Sequence, residues 1–138
     1  MIVSGMCNVA KVDFMRGVHQ PGDEYKIALY GKDANLSPMT ETYTPDGEVK
    51  AKGYHPGGMT LQGYRCDLDG TTAVMGWEYD PVWKNVTITA YGALIYNASK
   101  GNRALAVVEF PSPVTSTNGN FRIKMPAVNA TEAPLWIG

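Results

Sequence analysis

The fold of this chain is decided by residues 85–97, which read NVTITAYGALIYN. In the first half of this stretch, threonine and tyrosine alternate with valine, isoleucine and alanine, as expected for a strand with one buried and one exposed face. After Gly92 the alternation stops and both faces become apolar. Residues 103–110, which read RALAVVEF, repeat that character after a turn at residues 98–102. The two segments therefore predict a β-hairpin that is covered on both sides.

Two different coverings would explain such a hairpin. It could be the central pair of strands in a two-layer sandwich, with a second sheet or an N-terminal helix over its outer face. Alternatively, one face could be a subunit interface, joined by an apolar C-terminal tail that should be docked rather than left in water. The candidate interface residues are Ala93, Ile95, Leu105, Val107, Leu135, Trp136 and Ile137.

The rest of the chain predicts one short helix and several more strands. Within residues 4–18, apolar residues recur every three positions, which predicts a helix that ends at Gly17 as a left-handed cap. The apolar face of this helix would consist of Met6, Val9, Val12 and Met15. The dipeptide Asp69-Gly70 predicts a hairpin turn. Further strands are predicted at residues 25–30, 59–67, 71–79 and 121–125.

This pattern indicates an all-β fold, a single-domain antiparallel β-sandwich or jelly-roll-like domain with one short N-terminal helix. The domain spans residues 1–138, and residues 1–18 form its N-terminal arm and helix. Residues 31–58 form a long turn-rich excursion that prolines interrupt. Because loops of this length usually carry a function, contacts with another subunit are expected there.

The composition argues against several classes of partner. Twelve basic and thirteen acidic residues nearly cancel and are scattered along the chain, so no basic patch predicts binding to nucleic acid or to an anionic membrane. No apolar run reaches the length of a membrane span, and no secretory segment is evident, so the protein is expected to be made in the cytoplasm. Only 18% of the residues are charged, which suggests that part of the surface is covered by a partner.

Neither catalysis nor a metal or cofactor site is expected from the sequence. The two cysteines and two histidines, Cys7, Cys66, His19 and His55, lack the spacing of zinc ligands. Cys66 with His55 is the one nucleophile and base pair that can be sketched, and no local signature supports it. Cys66 is instead expected to be a small buried residue. Four sequons, at Asn35, Asn85, Asn97 and Asn129, are interpreted as asparagines that tolerate tight turns.

Aromatic residues offer a second candidate surface. Trp77, Tyr79 and Trp83 bracket the dipeptide Asp80-Pro81 and would lie together near one loop. Such side chains combine a large apolar area with a polar tip, so they could form a platform for sugar binding. They could equally be core residues at the ends of strands, and the sequence leaves both interpretations open.

Several segments resemble small structural proteins encoded by tailed bacteriophages. They run in order along nearly the whole chain, and none of them is a catalytic signature. The strand KIALY is followed by a turn-rich stretch that ends in GEV, GY and a GG pair. The main matching segments are SGMCN at residues 4–8, KIALY at 26–30, ITAYGALIYN at 88–97, KGNRALAV at 100–107 and TSTNGNF at 115–121. The prolines Pro38, Pro45 and Pro81 depart from the pattern of those proteins and would reshape loops.

The resemblance implies a non-enzymatic virion component, made in the host cytoplasm. The favoured role is a capsid decoration or cement protein that binds the outer shell and clamps neighbouring major capsid subunits. A homotrimer is expected where three capsid subunits meet, with a dimer as the next choice. The alternative role is a tail, neck or head-fibre component that binds host-surface carbohydrate through the aromatic surface. A cytoplasmic hydrolase that uses Cys66 and His55 is a third reading.

Overall fold

A computed structural model describes residues 1–137, which form two antiparallel β-sheets and one short α-helix. The all-β fold with a single N-terminal helix is therefore confirmed. The first sheet has five strands and the second has three. In chain order the elements are β1 (Gly5–Met6), α1 (Asn8–Met15), β2 (Tyr25–Tyr30), β3 (Met59–Thr60), β4 (Gln62–Asp69), β5 (Thr72–Tyr79), β6 (Val82–Asn97), β7 (Arg103–Arg122) and β8 (Leu135–Ile137).

The hairpin of β6 and β7 is the central element of the fold. The larger sheet has the strand order β1-β7-β6-β2-β3, and the smaller one has the order β4-β5-β8. Side chains from the facing sides of the two sheets interdigitate to form the main core. Members of this core include Ile27, Leu29, Ile95 and Leu105 from the larger sheet and Met75, Trp77 and Leu135 from the smaller one.

A second core covers the opposite face of the larger sheet. Here Tyr30, Leu94 and Tyr96 pack against Ala10 of α1 and Leu36 of the excursion at residues 31–58. The apolar character of the hairpin on both faces is thus explained within one chain, as the sandwich interpretation predicts. A second sheet covers one face, while the helix and the excursion cover the other.

The helix is shorter than predicted and buries a different face. Its C-terminus is closed as predicted: Gly17 has φ +72°, and the N–H groups of Gly17 and Val18 donate to the carbonyls of Phe14 and Asp13. The predicted apolar face is wrong, because Met15 is 89% exposed while Ala10 and Asp13 are buried. The acidic residue Asp13 faces inward because it forms an ion pair with a cationic side chain, as described below.

The second half of β7 differs from the prediction. The sequence predicts separate segments at residues 103–110 and 121–125, whereas β7 runs continuously from Arg103 to Arg122. Between the pairs Gly92↔Glu109 and Ala90↔Val114, β6 contributes one residue and β7 contributes residues 110–113. This wide bulge holds two prolines, which cannot donate to a ladder and are tolerated at such an irregularity. The strand therefore bends at the prolines instead of ending there.

Candidate interaction surfaces

Most of the predicted interface residues are not on the surface. Ala93, Ile95, Leu105, Val107 and Leu135 are at most 2% exposed, and all lie in the two cores of the chain itself. The prediction that these five residues contact a neighbouring subunit is therefore wrong, because the second sheet, α1 and the excursion already cover them. Of the seven candidates, only Trp136 and Ile137 are exposed, at 57% and 59%.

The predicted aromatic platform is not assembled either. Trp77 is buried against Tyr25 and Tyr64, and Trp83 packs edge-on against Phe121. Only Tyr79 of the three predicted residues is exposed, at 65%. These three aromatic side chains therefore do not form the predicted sugar-binding surface, because two of them are core tryptophans and only the tyrosine is on the surface.

The two cysteines occupy opposite environments. Cys7 is fully buried, and this burial raises the pKa of its thiol to about 11. Cys66 lies exposed on β4, which corrects the expectation that it is a buried residue. His55 is exposed in the excursion, and no hydrogen bond joins it to Cys66. Among residues 1–137, no three His, Cys, Asp or Glu side chains are grouped as a metal site requires.

The excursion at residues 31–58 is held from inside by a buried carboxylate. Glu48 is 7% exposed and accepts hydrogen bonds from the hydroxyls of Tyr43 and Tyr54, both at 2.6 Å, and from the N–H of Gly57 at 2.8 Å. The Tyr54 hydroxyl also accepts the N–H of Leu29 at 2.9 Å. Burial and the bond to Glu48 raise the pKa of Tyr54 above its ordinary value. The excursion is therefore a fixed part of the fold, linked to strand β2.

A second polar cluster links α1 to the turn of the central hairpin. Asp13, 3% exposed, forms a two-pronged ion pair with Arg103 at 2.9 and 3.2 Å. Asp23 binds Lys100 at 2.7 Å and the amide of Asn97 at 2.8 Å. Asn97 is thus a buried residue of β6, not the turn residue that the sequence predicts. Desolvation would raise the pKa of Asp23, but the bonds from Asn97 and Lys100 outweigh it and lower this pKa to about 2.

His19 completes this cluster with an unsatisfied nitrogen. The Asn97 amide donates to Nδ1 of His19 at 2.9 Å, so the neutral ring carries its proton on Nε2. The His19 side chain is fully buried, and its Nε2 has no hydrogen-bond partner, lying 3.8 Å from Asp13. Desolvation lowers the pKa of His19, with a smaller contribution from Arg103, although Asp13 and Asp23 oppose this shift.

The burial of His19 predicts a loss of stability in mild acid. The unfolded chain binds a proton near the ordinary pKa of 6.5, while the folded state resists it, so the free energy of unfolding decreases as the pH falls below that value. The slope of the free energy of unfolding against pH approaches about 1.4 kcal/mol per pH unit until the folded-state pKa of His19 is reached. Urea denaturation between about pH 7.5 and pH 5 measures it. His19→Asn should flatten the curve and His55→Asn should not; identical curves for all three proteins would contradict the assignment.

A large apolar groove lies on the surface of the sandwich. It has a volume of about 760 Å³ and runs between β1 and α1 on one side and β8 on the other. Lys11 is the single charged residue among the described residues that line it. We call this feature the apolar groove; its principal lining residues are Met6, Phe14, Met15, Val108, Pro126, Trp136 and Ile137.

Sequence reasoning found only the C-terminal part of this groove. The apolar run at residues 135–137 signals it, and β8 docks on β5 as expected for such a tail. Met15 belongs to the groove because the helix turns Asp13 inward and leaves Met15 exposed.

In residues 1–137 no helix is long and apolar enough to span a membrane. Comparisons with protein-family models, with curated proteins and with solved structures give no significant match to this chain.

Proposed function

We propose that this chain is a structural protein of a tailed-phage particle that binds the outside of the capsid shell as a decoration or cement protein. The observation that carries the proposal is the apolar groove, because a contiguous apolar surface often marks a site of interaction with another protein. Its lining is rich in methionine and aromatic side chains and poor in charge, as in the core of a protein–protein interface. The segments that resemble tailed-phage virion proteins support the same conclusion, and the major capsid protein is the proposed partner.

The rigidity of the chain suits this role. Both faces of the β6–β7 hairpin are covered, and the excursion is fixed through Glu48, so docking requires little further ordering of the backbone. A shell protein acts through many identical contacts, each burying about 800 Å² per partner, whose small energies add over the particle. We therefore expect on the order of hundreds of copies on each virion.

Quantitative mass spectrometry of purified virions tests the copy number. A ratio to the major capsid protein that corresponds to hundreds of copies supports a shell location. A ratio that corresponds to about a dozen copies or fewer would move the protein to the neck or tail, where symmetry limits the number of subunits.

The groove itself is tested by adding purified protein back to particles that lack it. Met15→Asp places a charge in the apolar contact without disturbing the core, since Met15 is 89% exposed. We expect it to weaken particle binding by at least about ten-fold. Met39→Asp is the matched control, because Met39 is 80% exposed, lies in the excursion and does not line the groove. Equal binding by both variants and the wild type would reject the groove as the docking site.

A further inference from the structure

A second apolar cavity lies on the inner face of the larger sheet, beside the bulge of β7, and has a volume of about 250 Å³. Its floor includes Ile27, which pairs directly with Ile95. Two positions along β6, Ala93 pairs with Val108, so all four side chains share one face of the sheet. We call this cavity the inner pocket; its walls include Phe110, Val114, Phe121, Ile123 and Met125.

The inner pocket reaches the main core. Ile27 and Ile95 are only 2% and 1% exposed, yet both line it. Protein cores contain few voids larger than a water molecule, so a cavity of this volume against core residues is unusual. The floor and walls carry aliphatic, aromatic and thioether side chains, which offer no hydroxyl, amide or carboxylate group to hold a water molecule. An apolar molecule is therefore the favoured content.

Both charged residues that line the inner pocket are cations. Arg122 and Lys124 are exposed, so their charged ends lie at the rim. Arg122 is paired with Asp80 at 3.1 Å, and the other oxygen of Asp80 accepts the N–H of Met125. Within residues 1–137, Lys124 forms no ion pair, and no acidic residue lines the pocket. The rim therefore offers one uncompensated positive charge to a ligand.

We propose that the inner pocket binds a single-chain alkyl carboxylate, with its chain on the apolar floor and its carboxylate paired with Lys124. At about 30 Å³ for each water-sized group, the cavity accommodates a chain of about eight carbons. Small-molecule sites combine such an apolar lining with a few polar groups that fix the orientation of the ligand. An alkyl amine of the same length would meet like charge at the rim, which favours the anion.

The inner pocket adjoins the apolar groove but is a separate site. The two features share Val108, Pro126 and Pro134. Met15 and Trp136, which line the groove, do not line the inner pocket. Binding of the carboxylate goes beyond the proposed shell binding and does not depend on it. It can therefore be measured on the isolated chain, without any particle.

Calorimetric titration of the purified full chain with octanoate at neutral pH tests the ligand class. We expect a dissociation constant on the order of 100 µM. Butanoate lacks four of the buried methylenes and should bind at least about 100-fold more weakly. Octylammonium, of equal length and opposite charge, should bind at least about ten-fold more weakly. Absence of saturable octanoate binding up to about 10 mM, or equal affinity for octylammonium, would overturn the proposal.

A charge reversal tests the role of the rim. Lys124→Glu should weaken octanoate binding at least about ten-fold and should make octylammonium the better ligand. Lys50→Glu is the matched control, because Lys50 is also exposed but does not line the inner pocket. It should bind octanoate like the wild type. Equal weakening in both variants would show a general effect of net charge and would contradict the role of Lys124.

A blocking substitution separates the inner pocket from the groove. Val114 is 39% exposed and lines the inner pocket but not the groove, so Val114→Trp should fill the cavity without disturbing the fold. We expect this variant to lose octanoate binding and to bind particles like the wild type. Loss of particle binding would instead make the capsid protein the occupant of the inner pocket and would overturn the proposal.

Isoleucine methyl resonances locate the bound ligand. Octanoate should shift the signals of Ile27 and Ile95, which line the inner pocket, and leave that of Ile137, in the groove, unchanged. A shift confined to Ile137 would place the ligand in the groove. Shifts of Ile27 and Ile95 that follow protein concentration without octanoate would make a second copy the occupant. Either result would reject the inner pocket as the carboxylate site.

Discussion

Replacing Gly58 with alanine is expected to unfold the protein or to lower its free energy of unfolding by more than about 4 kcal/mol. Gly58 lies in the left-handed region, with φ +82°, where a side chain is strained. An added Cβ would also overlap the carbonyl oxygen of Ile27 and crowd the backbone of Ala28. Those atoms belong to β2, which lies between β6 and β3 in the larger sheet, so they cannot move aside without breaking the ladder to β6.

Gly70→Ala is the matched control for this substitution. Gly70 also has a positive φ, +64°, but an added Cβ there meets no atom within 4 Å. Gly70→Ala should lower the free energy of unfolding by about 1 kcal/mol, which is the conformational penalty alone. Urea denaturation of the two variants separates backbone strain from steric overlap. Similar losses in both would mean that the excursion does not press against β2 as closely as described.

The framework of the fold could be predicted from the sequence because its signals are local. β2 has the predicted bounds, and the predicted hairpin turn joins β4 to β5, although its two loop residues are Gly70 and Thr71, one position later than predicted. Alternation and turn residues determine such elements over a few positions. The inward face of α1 could not be predicted in this way, because Asp13 is buried only where Arg103, ninety residues later, supplies two hydrogen bonds.

The candidate surface was predictable only in part, for a related reason. The sequence reveals which segments are apolar but not which of them the chain covers itself. Ile95 and Ile137 look alike in sequence, yet the excursion and second sheet enclose the first, and the register of β8 on β5 leaves the second beyond the core. The same holds for Trp77, whose partners Tyr25 and Tyr64 come from two other strands.

Removal of the buried carboxylate of Glu48 should have the second large effect. Glu48→Ala leaves three donors without an acceptor, namely the hydroxyls of Tyr43 and Tyr54 and the N–H of Gly57. An unsatisfied buried donor costs about 1–3 kcal/mol, so we expect a loss of about 4 kcal/mol in the free energy of unfolding. Glu41→Ala, at an exposed position of the same excursion, should change stability by less than about 0.5 kcal/mol.

A double-mutant cycle identifies the cause of that loss. Tyr43→Phe alone removes one donor to Glu48 and should cost about 1 kcal/mol, since the carboxylate keeps its bonds to Tyr54 and Gly57. In the Glu48→Ala background the same change removes a hydroxyl that has already lost its acceptor, so it should cost nothing or restore stability. The coupling between the two positions, measured by urea denaturation, should therefore reach at least about 1 kcal/mol. Additive effects would show that Glu48→Ala acts through the cavity it leaves and that the hydrogen bonds contribute little. The cycle thus decides whether the excursion is held by its buried carboxylate or by packing alone.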